Sequence, residues 1–149
     1  MRILLDTHTF YWMASDYHKL GPVARAALED ARNELYLSAA SLWEISTKYR
    51  IGKFPAGGIL IENLGILTQK LKVQTLAISV EHAITAGSLA WDHRDPFDRM
   101  LAAQCIIENM AFASKDSAFA SLSGGDRADT DGTGTNRKVG AEKIEVLWG

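Results

Sequence analysis

One cysteine among 149 residues excludes an intramolecular disulfide and any Cys-rich structural zinc site. That residue, Cys105, lies in the apolar run Leu101-Ala102-Ala103-Gln104-Cys105-Ile106-Ile107, where a thiol behaves as a small buried hydrophobe. No stretch approaches the ~20 apolar residues of a membrane span. The first residues run straight into Ile3-Leu4-Leu5 without the length or cleavage site of a secretory leader, so a reducing, cytoplasmic setting is expected. Positive charge is also short. Lys and Arg number 16 against 18 Asp and Glu, a net charge of −2, so the molecule as a whole does not attract nucleic acid and any such role needs a local arrangement. Four histidines, His8, His18, His82 and His93, show no His-Glu-x-x-His spacing, which leaves them packing or surface roles. No Gly-x-x-x-x-Gly-Lys phosphate loop and no serine or cysteine triad is readable.

What is present is an ordinary globular composition, 47% hydrophobic and 23% charged, in a chain of one-domain size. At this length folding removes roughly 68–70% of the unfolded surface from water, so a core forms without staples. Strand-like apolar runs alternate with helix-period segments, the pattern of an α/β fold. Strands are expected at 2–5, 34–38, 73–78, 111–114 and 144–147. Helices are expected at 7–15, 23–32, 39–50, 59–71, 80–90 and 96–109, with a short one after Asp116 and a loop at 54–58. The expected architecture is a central, mostly parallel sheet flanked by helices on both faces, an α/β/α sandwich over residues 1–149. Residues 123–142 are rich in Gly, Asp and Thr, bury little, and are expected to be a flexible insertion before the last strand. Within them Asp129-Thr130-Asp131-Gly132 superficially matches a calcium loop, but Arg127 and Lys138 stand where its first and twelfth ligands belong.

Four acids occupy positions with two readings each. Asp6 follows the first strand, where α/β sheets place ligands, and is equally suited to cap the helix behind it. Glu44 fits a capping box with Ser41 and an ion pair with Lys48, yet lies among Leu42, Trp43 and Ile45 near the end of the second strand. Asp95-Pro96-Phe97-Asp98 reads as a helix start with Asp95 as cap. Asp98 instead shares a face with Leu101, Ala102 and Cys105, where a carboxylate is costly unless paired or metal-bound. Asp116 follows the fourth strand and also suits a turn. Should the four converge, their mutual repulsion calls for cations, and oxygen-only ligands select hard ions such as Mg2+ or Mn2+. The natural chemistry of such a site is phosphodiester hydrolysis.

These residues resemble the PIN-domain nucleases, in particular the VapC-type toxins of bacterial toxin-antitoxin pairs. Leu4-Leu5-Asp6-Thr7-His8 is similar to the opening motif, and Leu37-Ser38-Ala39-Ala40-Ser41-Leu42-Trp43-Glu44-Ile45 to the second. His93-Arg94-Asp95-Pro96-Phe97-Asp98-Arg99-Met100-Leu101-Ala102-Ala103-Gln104 is similar to the third, and Ala113-Ser114-Lys115-Asp116 with Phe119 to the fourth; Glu145-Val146-Leu147-Trp148 fits the end. The 123–142 segment departs from the pattern, since relatives pass almost directly into the last strand.

The resemblance implies a metal-dependent endoribonuclease using Mg2+ (or Mn2+), with Asp6, Glu44, Asp98 and Asp116 as catalytic and metal-site acids and Thr7 and Ser114 in support. RNA would be cut to 5′-phosphate and 3′-hydroxyl ends, with Lys48, Arg50, Arg94, Arg99 and Lys115 available for phosphates, although local ion pairs suit each of them as well. It also implies a cognate antitoxin protein as partner, against an apolar groove for which Tyr11, Trp12, Leu20, Trp43 and Ile51 are candidates with core packing as their other role, and a homodimer. Two rivals stand beside it: a non-catalytic α/β interaction module, and a phosphohydrolase with an aspartyl nucleophile, which would want an Asp where His8 stands.

Overall fold

Alternating side chains of the first strand decide the architecture. In the computed structural model, which describes residues 1–122 and 143–149, β1 (Arg2–Leu5) is central in a five-stranded sheet of order β3-β2-β1-β4-β5. The other strands are β2 (Glu34–Ser38), β3 (Val73–Leu76), β4 (Ala111–Ala113) and β5 (Val146–Leu147), and every neighbouring pair is parallel. Ile3, Leu4 and Leu5 are all fully buried, as expected of a parallel strand covered on both faces. Because the side-chain period is two, Ile3 and Leu5 enter one core with Phe10, Leu37, Ile45 and Leu60, while Leu4 enters the other with Leu101, Cys105, Phe112 and Phe119. The fold is the α/β sandwich expected from the sequence.

Helices α1 (Thr7–Ser15), α2 (Pro22–Glu29), α3 (Ala39–Arg50), α4 (Gly57–Glu62) and α5 (Leu64–Leu71) contribute to the first layer. The second layer is led by α6 (Val80–Ser88) and α7 (Pro96–Glu108). Boundaries at β1, α1, β2 and α3 coincide with the sequence reading. Others move for identifiable reasons. The helix expected at 59–71 is two, because Asn63 directs its side-chain amide to the Ile59 carbonyl at 2.9 Å and competes with the helical ladder. Helix α4 begins inside the expected 54–58 loop, where Gly57 and Gly58 lie directly against Ile45 and Tyr49 of α3; a Cβ on Gly58 would stand 2.7 Å from the Tyr49 ring. Helix α2 stops at Glu29 rather than Arg32, since Asp30 turns back to accept from the Arg32 backbone N–H at 3.0 Å. The expected insertion at 123–142 and its Asp129-Thr130-Asp131-Gly132 run lie outside the described residues.

One contact ties the sheet's edge to the helical layer. The Trp148 carbonyl, just past β5, accepts from Val23 N–H (3.1 Å) and Ala24 N–H (3.0 Å) in the first turn of α2. Gly21 makes this approach possible, because a Cβ there would stand 2.2 Å from that carbonyl oxygen. Gly21→Ala is therefore expected to destabilise the fold by ~1–3 kcal/mol, the usual cost of forcing one extra carbon into a packed interior. Urea denaturation measures it; an unchanged midpoint would mean that the carbonyl steps aside freely.

Candidate active site

Parallel strands present all their carboxyl ends at one edge, and the four acids reach that edge by four different routes. Asp6 is the first residue after β1 and caps α1: Oδ1 accepts from Thr7 N–H at 2.7 Å and Oδ2 from the Ser114 hydroxyl at 2.6 Å. Ser114 directly follows the neighbouring β4 and also accepts from Asp116 N–H at 3.0 Å, so one hydroxyl sets the spacing of both acids. Asp116 is exposed, and its Oδ1 accepts from Ala118 N–H at 2.9 Å.

Glu44 is buried on α3. Of the two local readings of Glu44, the capping box with Ser41 does not form, because α3 starts at Ala39: Ser38 is the cap, accepting from Ala40 N–H at 2.9 Å, and Ser41 is buried inside the helix. Glu44 is thereby free to turn outward from its own helix. Its Oε1 accepts from the Thr7 hydroxyl at 2.6 Å and its Oε2 from the Lys48 ammonium at 2.5 Å, the latter the ion pair that four-residue spacing suggested. Asp98 stands in the first turn of α7, with Asp95 as the cap accepting its N–H at 3.0 Å and Pro96 at the first helical position. The two helices are clamped where it matters, since the Ser38 hydroxyl donates to Gln104 Oε1 of α7.

All four acids line one cleft of about 590 Å³, together with Asp95, His8, Trp12, Lys48, Lys115 and Ser117. A second cavity, about 620 Å³, opens at the opposite strand ends around Met1, Arg2 and Asn109, with Glu145 as the one carboxylate among the described residues lining it. The first has the electrostatics of a reactive site. Burial pushes the Asp6 carboxyl above the ordinary range against the opposing Ser114 and Thr7 hydrogen bonds, and the Glu44 charge adds to the rise. Burial likewise pushes Asp98 up to about 6, partly offset by His93 and reinforced by Asp95 and Asp6.

Sequence reasoning missed His93. Its Nε2 lies 2.6 Å from Asp98 Oδ2, and its ring rests beside that of Trp91 at 4.7 Å between centroids. The available signal was its place five residues before Asp98 across a proline-started helix, which folds the segment back over the first turn. Arg99, considered for phosphate contact, is committed elsewhere: its guanidinium donates to the carbonyls of Ala86, Leu89, Trp91 and His93 at 2.7–3.0 Å, fixing the segment that carries His93. Of the candidate groove residues, Leu20 belongs to the core, Tyr11 and Trp12 are half-buried against Phe54 and Trp148, and Trp43 and Ile51 are exposed.

The family model for the PIN domain matches residues 3–125, most of the chain. The protein belongs to the PIN-domain family. Among relatives of this PIN domain is Ribonuclease VapC16 of Mycobacterium tuberculosis (strain ATCC 25618 / H37Rv), 40% identical over 63 residues. That match covers 42% of this chain and 43% of the relative, so less than half of either sequence is aligned. In three dimensions the chain is similar to the crystal structure of VapBC2 from Rickettsia felis bound to a DNA fragment from their promoter, with a TM-score of 0.60 over 99% of each chain. At 14% identity, that likeness concerns the fold alone.

The chemistry of the PIN cleft suits a hard divalent cation. Its donors are carboxylate oxygens, and burial has made two of them costly to ionise, a cost a cation relieves. Among the described residues, however, no three acidic, imidazole or thiol groups form a ready-made coordination cage. Each of three acids is turned instead to protein partners: Glu44 to Thr7 and Lys48, Asp6 to Ser114 and Thr7, Asp98 to His93.

Proposed function

We propose that this PIN domain is a metal-dependent endoribonuclease of the VapC type, the toxin of a toxin-antitoxin pair. The observation that carries the reading is the convergence of Asp6, Glu44, Asp98 and Asp116, from four separate stretches of chain, on one cleft, where burial disfavours the charge of Asp6 and Asp98. The name of the relative, Ribonuclease VapC16, supports it. Asp6, Glu44, Asp98 and Asp116 would hold Mg2+ (or Mn2+), which when bound supplies an acidified water and neutralises phosphoryl charge. The chain's own residues do the remainder. Thr7 and Ser114 hydroxyls orient Glu44 and Asp6, His93 holds Asp98, and Lys48 and Lys115 bring positive charge to a cleft that would otherwise repel RNA phosphates. Hydrolysis in this arrangement leaves 5′-phosphate and 3′-hydroxyl ends.

The partner reading has its own support. Trp43, Tyr49, Ile51 and Ile59 are exposed large apolar side chains on α3, the turn after it and α4, a surface suited to an apolar segment of an antitoxin, and a homodimer would use such exposure as well. Among the described residues no helix is long and apolar enough to cross a membrane. A cytoplasmic location agrees with the RNA substrate. The exposed surface alone would equally serve a non-catalytic interaction module, whereas His8, standing two residues after Asp6, leaves the aspartyl-nucleophile reading without its second acid.

The test is to incubate antitoxin-free protein with a pool of cellular RNA and Mn2+ and sequence the new ends, with Asp6→Asn alongside. Cuts made by the wild type and absent with Asp6→Asn are the expected result. Intact RNA in both samples would favour the interaction module.

A further inference from the structure

Each carboxylate oxygen of Glu44 already has a partner: Thr7 holds Oε1 and Lys48 holds Oε2. The two charges are unequally placed. The Glu44 side chain is 8% exposed and that of Lys48 37%, so the acid is fixed in the wall while the ammonium sits at the rim. Lys48 lies in the last turn of α3, and its carbonyl is anchored by Lys53 N–H (2.8 Å) and Phe54 N–H (3.2 Å). Its backbone is therefore held while four rotatable carbons carry the head group. The field around it is negative on more than one side, from Asp95, the cap of α7, and Asp98 in its first turn as well as from Glu44. The other lysine of the cleft, Lys115, lies over the Trp12 ring at 5.9 Å, and among the described residues Lys48 is the one lysine or arginine ion-paired with a cleft acid.

From this arrangement we infer that Lys48 is a tethered counterion that trades places with the divalent cation: it neutralises Glu44 in the metal-free cleft and, once displaced, binds a phosphate oxygen of the RNA. The inference rests on the ribonuclease reading above and adds to it the order of events at one carboxylate. Charge accounts for the exchange. A divalent ion arriving at Glu44 replaces one positive charge with two, and the freed ammonium then meets the one negative charge that each phosphodiester brings. Metal and RNA thereby become linked: the metal competes with Lys48 for Glu44, and the phosphate competes with Glu44 for Lys48.

Two binding measurements on the full chain test this, using Lys48→Met, with Lys48→Gln as a second uncharged variant and Lys48→Arg as the charge-keeping one. Mn2+ titration by calorimetry is expected to show the uncharged variants binding the ion about five- to tenfold more tightly, because a charged hydrogen-bond partner of Glu44 is gone. Anisotropy of a labelled single-stranded RNA, with Ca2+ in place of Mn2+ to slow cleavage, is expected to show about tenfold weaker binding and a log–log salt slope reduced by ~0.7, one phosphate contact. Lys48→Arg should restore the RNA affinity and slope. Opposite signs for metal and RNA are the signature, since a merely structural lysine would move both down together. Unchanged or weaker Mn2+ binding in both uncharged variants overturns the exchange, as does tighter Mn2+ binding with RNA affinity and slope untouched. A wild type that binds no Mn2+ and cuts no RNA removes the ribonuclease reading itself, and the exchange with it.

Discussion

Asp98→Asn should abolish RNA cleavage while making the metal-free protein more stable. The two effects come from the same cause. The carboxyl sits in the first turn of α7 against an apolar stripe of Leu101, Ala102 and Cys105, and burial has pushed it up to about 6. An amide of the same shape relieves the cost of a partly buried charge and keeps an acceptor for His93. It cannot replace the charge proposed to hold a cation. Partners one step removed from a metal are typically worth 10–100-fold in activity, so loss of a ligand itself is expected to cost at least ~100-fold. Asp6→Asn should behave alike. Asp116→Asn should cost less, since that acid is exposed and already serves the turn through Ala118 N–H. Initial rates on a defined RNA, read beside thermal midpoints in EDTA, give both quantities at once. An Asp98→Asn protein that cleaves like wild type would remove this acid from the site.

The second large effect is the dependence of stability on pH and metal together. Asp98 has a higher pKa folded, about 6, than the ordinary 3.8 of an unfolded chain, and Asp6 is shifted the same way. The folded state thus binds protons more tightly than the unfolded state. Below pH ~4 both states are protonated and these acids cost nothing; between ~4 and ~6 the penalty accumulates, and above ~6 it is fully present. In EDTA, the difference in thermal midpoint between Asp98→Asn and wild type should therefore widen from pH 4 to pH 7 in favour of the variant. Mn2+ should reverse the picture for the wild type. Ion and protons compete for the same oxygens, so the stabilisation it confers should be large at pH 7.5 and small at pH 5. At one hundred times its dissociation constant a ligand adds ~2.7 kcal/mol, worth about 5–10 °C in a chain of this size. Scanning fluorimetry across pH, with and without Mn2+, reads this directly. An equal or larger Mn2+ shift at pH 5 would mean that the ion binds somewhere other than these carboxyls.

Much of this was legible before any coordinates. A strand of three consecutive apolar residues bounded by Asp6, and a Pro96 following a capping Asp95, are local signals, and local signals survive folding. The helical face shared by Asp98, Leu101 and Cys105 already pointed that acid toward the protein. The misreadings turn on single side chains. The break at Asn63 inside the expected 59–71 helix depends on one side chain defeating one backbone bond. His93 meets Asp98 only five residues away, but through a non-helical turn that periodicity does not encode.

The cleft draws Asp6 from the first strand's end, Glu44 from a helix behind the second, Asp98 from the start of another and Asp116 from beyond the fourth strand. Neither half of the chain holds more than part of it. A polypeptide halted halfway through synthesis, or nicked between residues 44 and 98 and parted, would carry acids with nothing to meet. For a molecule whose proposed product is broken RNA, the long separation of these residues means that the proposed chemistry waits for a nearly finished, intact chain.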